Sequence, residues 1–114
     1  MRLYFYNATV RSIYDGDTIR ADIDLGFNIW MYNQSIRLWG IDAPEISGDE
    51  RPVGLITKQF VMDRIPPGTE IKILTIKDSK EKFGRYLATV FYGDDMTNLN
   101  EELLQTGQAT PYNL

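Results

Sequence analysis

The sequence predicts a small β-barrel carrying helices, of the five-stranded OB type. Three observations lead there. Three stretches with strand-like period fill residues 3–41, a stretch with apolar residues at helical spacing follows, and two more strand-like stretches precede a short helical one.

The first strand is expected over 3–14 (LYFYNATVRSIY), rich in β-branched and aromatic residues and punctuated by Asp15-Gly16 as a hairpin turn. From Asp17 to Leu25 the pattern alternates, with Ile19, Ala21, Ile23 and Leu25 on one face and Thr18, Arg20, Asp22 and Asp24 on the other. Residues 28–41 (NIWMYNQSIRLWGI) predict a third strand, bulged near Tyr32-Asn33-Gln34. Pro52 suits the first turn of a helix, Val53, Ile56 and Phe60 give its apolar stripe beside Val61 and Ile65, and Pro66-Pro67-Gly68 stops it. The fourth strand is expected over 70–77 and the fifth over 86–92, closed by the turn Gly93-Asp94-Asp95. Asn98 and Glu101 resemble a capping box, Leu99 and Leu103 form a stripe, and Gly107 suits the C′ position of a second helix. The open face of such barrels commonly binds oligonucleotides, although fold alone does not assign function.

With 114 residues the chain suits one domain over 1–114, with a core large enough to need no staples. A composition of 43% hydrophobic and 25% charged residues reads as soluble and globular rather than disordered. There are no cysteines, which excludes disulfides and thiolate metal sites. No stretch approaches the roughly 18 apolar residues of a membrane span, so no membrane partner is expected. The start lacks a signal-peptide pattern, and the cytoplasm is the expected compartment, a secreted mature form being the alternative. The net charge of −4 runs against tight non-specific binding of nucleic acid and favours a divalent cation instead.

Strand parity places Asp17 on the side of Ile19, Ala21 and Ile23, and Asp42 on the side of Ile36, Leu38 and Gly40. Two carboxylates would thus extend apolar rows at a strand end, where burial is costly without a partner, and a cation is one such partner. Taken singly, Asp15-Gly16-Asp17 also reads as a turn with solvated acids, and Asp42-Ala43-Pro44-Glu45 as a loop with a helix cap. Arg37 lies within an apolar strand and Arg85 just before the fifth. Each suits a bidentate grip on phosphate or, equally, an ion pair with those carboxylates. Two acids, two arginines and Glu45 at strand ends form the set that metal-assisted phosphodiester cleavage requires.

Three blocks of residues, Asp15-Gly16-Asp17-Thr18, Ile36 to Glu45 (IRLWGIDAPE) and Lys82 to Ala88 (KFGRYLA), closely resemble the motifs of the staphylococcal nuclease family. Asn98 to Ala109 resembles that family's second core helix, so the likeness spans almost the whole chain. The resemblance implies an OB-fold nuclease that cuts DNA and RNA, favours single strands and leaves 3′-phosphate ends. It implies one Ca²⁺ ion held by Asp17, Asp42 and the backbone carbonyl of Ala43, and a catalytic set of Arg37, Glu45 and Arg85. In the same way Lys82 matches a phosphate-contacting lysine.

Two departures stand out. Phe83 replaces a tyrosine and keeps a stacking surface without the hydroxyl, while Tyr112 is displaced by one position from a site tyrosine and is either a base-stacking residue or a tail aromatic. The chain given ends at Leu114, before the family's third helix, so barrel surface is expected to be covered by self-association or by Trp30 and the aromatic first strand. The stretch Phe27 to Tyr32 is expected to form a core or rim hairpin, or to supply that contact. Two other functions fit the same residues: an inert OB-fold module that binds nucleic acid, and a metal-binding domain with no nucleic-acid role.

Overall fold

The computed structural model describes residues 3–112, so what was expected from the start at Met1 and the end at Leu114 lies outside it. The elements are β1 (Phe5–Asp15), β2 (Thr18–Asp24), β3 (Trp30–Leu38), β4 (Ile41–Asp42), a 3-10 turn (Gly48–Glu50), α1 (Arg51–Arg64), β5 (Glu70–Lys80), β6 (Tyr86–Tyr92), β7 (Thr97–Asn98), α2 (Leu99–Gln105) and β8 (Thr110–Pro111). The sheet runs β3-β2-β1-β5-β6-β7, and β3 also pairs with β6, which closes β1, β2, β3, β5 and β6 into a five-stranded barrel. Every long pairing is antiparallel except that closing seam, where Ile36, Arg37 and Leu38 run parallel to Tyr86, Leu87 and Ala88.

Period-two patterning fills the barrel. Ile19, Ala21 and Ile23 from β2 meet Ile71 and Ile73 from β5 and Val10, Ile36, Leu38 and Val90 from the remaining strands, all buried. Leu25, expected in the β2 row, is 40% exposed, because β2 ends at Asp24 and Gly26 turns the chain at φ +82°. The expected bulge is present: Ala21 pairs with Gln34 but Ile23 with Met31, which leaves Tyr32 and Asn33 facing one residue, and Asn33 takes φ +53°. The β2–β3 hairpin tip is a rim feature, with Phe27 98% exposed and Trp30 stacked on Tyr32 at 6.3 Å.

Both helices form near the expected positions. Asn98 caps α2 by accepting the N–H of Glu101 at 3.0 Å, and Gly107 (φ +76°) closes it in a Schellman arrangement, with Gln108 N–H donating to Leu103 O at 2.9 Å. The expected stripe on α1 is corrected. Val53 and Ile56 are 55% and 62% exposed, whereas Gly54, Thr57 and Val61 face inward. Close approach decides this. A Cβ on Gly54 would overlap the Glu45 carbonyl, and one on Gly16 would overlap Thr57, so only small residues let α1 sit against the loops around Gly16 and Glu45. No helix among the described residues is long and apolar enough to cross a membrane.

Buried Asn100 fastens α2 to the barrel. Its Oδ1 accepts Val90 N–H at 3.0 Å, and its Nδ2 donates to Trp39 O at 2.9 Å and Ala88 O at 3.1 Å. Asn100→Ala leaves the buried Val90 N–H unpaired and takes a donor from Trp39 O, while Ala88 O keeps the Trp39 N–H at 2.8 Å, and the change is expected to cost on the order of 2 kcal/mol. Urea unfolding checks this, and a midpoint like that of the parent removes the network from the stability account.

Candidate active site

Asp17 sits in the two-residue turn between β1 and β2, with Asp15 before it; both are buried. Its carboxylate is well held. Oδ1 accepts the Thr18 hydroxyl at 3.1 Å, Oδ2 accepts Ala43 N–H at 2.8 Å, and the Asp17 N–H donates to Asp15 Oδ1 at 3.0 Å. On β3, Arg37 reaches the same place, its Nη2 lying 3.5 Å from Asp17 Oδ2 and 3.6 Å from Asp42 Oδ1. Its Nη1 donates to Leu38 O at 2.8 Å, and the Tyr112 ring centre lies 5.7 Å from the guanidinium carbon. Arg85 enters at the start of β6 and binds Glu81 Oε2 through Nη2 at 2.8 Å, while its Nη1 lies 3.4 Å from Thr18 Oγ1.

Asp42 departs from the parity expectation. Its side chain is 53% exposed, and Ile41 takes the buried position instead. Gly40 turns the chain at φ +81° after Leu38, which resets the alternation before β4 begins.

These groups line one open cavity of about 720 Å³. Of the residues singled out from sequence, Asp17, Arg37, Asp42, Glu45, Lys82, Phe83, Arg85 and Tyr112 all border it. Ala43 stands behind them, tied to Asp17 through its N–H. Phe83 is 71% exposed, with Lys82 Nζ 5.1 Å and the Arg85 guanidinium carbon 5.4 Å from its ring centre. Sequence reasoning missed Tyr14 and Glu81 on the cavity wall and the buried Thr18 beside Asp17, and it read Asp15 as a turn acid only. Sequence carried no sign of Glu81, because four-residue spacing from Arg85 signals a pair only on a helix and these two residues lie in a turn.

Burial, followed by the hydrogen bond with Asp17 and its charge, pushes the Asp15 carboxyl up to about 7. Hydrogen bonding to Arg85 holds Glu81 down to about 2. Asp17 and Asp42 converge on a single point, now taken by Arg37 Nη2, and among the described residues no group of three or more acidic, histidine or cysteine side chains gathers there. With no histidine or cysteine in the chain, the donors are oxygens, the chemistry of a hard cation such as Ca²⁺.

A five-stranded OB-type barrel with acids and arginines sharing a cleft at its strand ends defines the class. The family described as staphylococcal nuclease homologue matches residues 35–114, and the chain belongs to it. Among curated relatives, an uncharacterized protein of Methanocaldococcus jannaschii is 29% identical, with 96% of this chain and 60% of that protein covered. Thermonucleases of Staphylococcus intermedius and Staphylococcus hyicus are each 31% identical, over 79% and 85% of this chain and 51% and 54% of theirs. The chain thus spans about half to three-fifths of the length of the curated relatives it matches.

Proposed function

We propose that this domain is a Ca²⁺-dependent nuclease that hydrolyses phosphodiester bonds of DNA and RNA, preferring single strands and leaving 3′-phosphate ends. One observation carries the reading: Arg37, Arg85, Asp17, Asp42 and Glu45, from separate parts of the chain, border the same cavity. The two thermonucleases support it by name.

Asp17, Asp42 and the Ala43 carbonyl are the groups that would hold the cation, with Arg37 Nη2 giving up the point it occupies between the two carboxylates. When bound, Ca²⁺ supplies Lewis-acid polarisation of a phosphoryl oxygen and an orienting charge for water. Arg37 and Arg85 donate to the non-bridging oxygens, where charge grows as phosphorus becomes five-coordinate. Glu45 takes the proton of the attacking water, or orients that water, from the cavity wall. Lys82 contacts a neighbouring phosphate, and the exposed ring of Phe83 and that of Tyr112 offer faces on which bases stack. Phe83 has no hydroxyl to give a terminal phosphate, so recognition of a 5′-phosphate rests on Lys82.

The test is cleavage of denatured DNA with Ca²⁺ and again after EDTA. Cleavage that stops with chelator supports the enzyme. Binding without cleavage favours an inert nucleic-acid module, and neither leaves a metal-binding domain. With a net charge of −4, strand binding without cation is expected to be weak. Equal affinity with and without Ca²⁺ contradicts the role given to the carboxylates.

A further inference from the structure

One side chain ties together the turn that carries Phe83 and Arg85. Glu81 Oε1 accepts the backbone N–H groups of Phe83 at 2.9 Å and Arg85 at 3.0 Å, while Oε2 accepts Arg85 Nη2 at 2.8 Å. The backbone of Glu81 closes the same turn, donating to Arg85 O at 2.8 Å and accepting Gly84 N–H at 2.9 Å. One carboxylate oxygen therefore serves the turn and the other serves the guanidinium.

The consequence lies at the other atoms of Arg85. With Nη2 held, Nη1 is directed at Thr18 Oγ1, the neighbour of Asp17, and Nε is buried without a hydrogen-bond partner. A buried N–H lacking an acceptor is unfavourable, so a specific arrangement must hold it in place. An anionic oxygen entering the cavity is an acceptor of the kind that atom lacks.

We infer that Glu81 is the positioning residue for Arg85: it fixes the guanidinium so that Nε and Nη1 remain available to a phosphate, and it acts on the reaction only through that side chain. The inference rests on the phosphodiesterase reading above. Because Arg85 holds the Glu81 carboxyl down to about 2, the pair stays charged throughout the pH range in which proteins are ordinarily assayed. Neighbouring carboxylates Asp15 and Asp17 face Arg85 from the β1–β2 turn, so the guanidinium has competing anions toward which it would drift if released.

The informative variant is Glu81→Gln. A single amide oxygen can still accept the two backbone N–H groups and keep the turn, but the amide nitrogen that replaces Oε2 cannot accept from Arg85. The expected result is a fall in kcat of about 10²-fold from loss of geometry, with KM unchanged or lower because a negative charge near the substrate is gone. In the Arg85→Ala background the same change should have no further effect on kcat, since nothing is left to position. An equal fall in both backgrounds, or none in the parent, overturns the inference.

A second measurement is independent of turnover. NMR relaxation of the Arg85 Nε–H should report a rigid side chain in the parent and a mobile one in Glu81→Gln. Equal rigidity in the two proteins overturns the inference whether or not the parent cleaves DNA, whereas a parent that does not cleave in Ca²⁺ removes only the nuclease reading.

Discussion

Arg85→Ala is expected to lower kcat on denatured DNA by on the order of 10²–10³, the usual loss when one donor to a developing oxyanion is removed. The fold should survive the change. Arg85 lies at the end of a turn that the Glu81 carboxylate still closes by accepting backbone N–H groups at positions 83 and 85, and truncation also removes the buried Nε that has no partner. Arg37→Ala would be harder to interpret, because Arg37 pairs with both Asp17 and Asp42 and its loss leaves a buried carboxylate without its counter-charge. Single-turnover kinetics with saturating Ca²⁺, alongside a thermal melt, separates chemistry from folding. A kcat within about tenfold of the parent, with an unchanged melt, takes Arg85 out of charge stabilisation.

Gly54→Ala is expected to damage stability and activity together. Alanine ordinarily strengthens a helix relative to glycine by about 1 kcal/mol. Here the added carbon would overlap the backbone carbonyl of Glu45, an atom with no rotamer to retreat into, so the helix or the loop must shift. Overpacking of this kind costs about 1–3 kcal/mol and outweighs the propensity gain. Moving the carbonyl of Glu45 also moves a residue on the cavity wall, so turnover should fall while the Arg85 turn stays intact. The check is a melting temperature measured together with kcat. A variant as stable as the parent or more so would show that the contact between α1 and the Glu45 loop is slack.

Much of the barrel was legible from alternation alone. Rows such as Ile19-Ala21-Ile23 and Ile71-Ile73-Thr75 are buried as their period demands, and the Asn98 cap and the Gly107 stop function as their chemistry suggests. The orientation of α1 was not legible. A helix usually turns its large apolar side chains inward, but here the inward face is set by how closely two backbones approach, which favours Gly54 and Thr57 over Val53 and Ile56. For the site, the residues picked from sequence, Ala43 excepted, do border one cleft, because strand ends that close a barrel are brought together whatever their separation along the chain. Parity failed for Asp42, since a left-handed glycine between two strands cancels any count carried across it. Glu81 was hidden for another reason. Lys80-Glu81-Lys82 reads as a solvated charge run, and only the folded turn shows that the middle charge points inward.

The parallel pairing of Ile36, Arg37 and Leu38 with Tyr86, Leu87 and Ala88 has a consequence for how this molecule comes into being. It joins segments that no hairpin brings near each other, and such distant zippering tends to come late because the loop must be closed before any contact rewards it. Arg37 belongs to one lip of that zipper and Arg85 stands just ahead of the other. A chain with its hairpins formed and this last fastening undone would hold most of its strands yet keep its two guanidiniums apart, so the onset of phosphate affinity during refolding would date the moment the cylinder shuts.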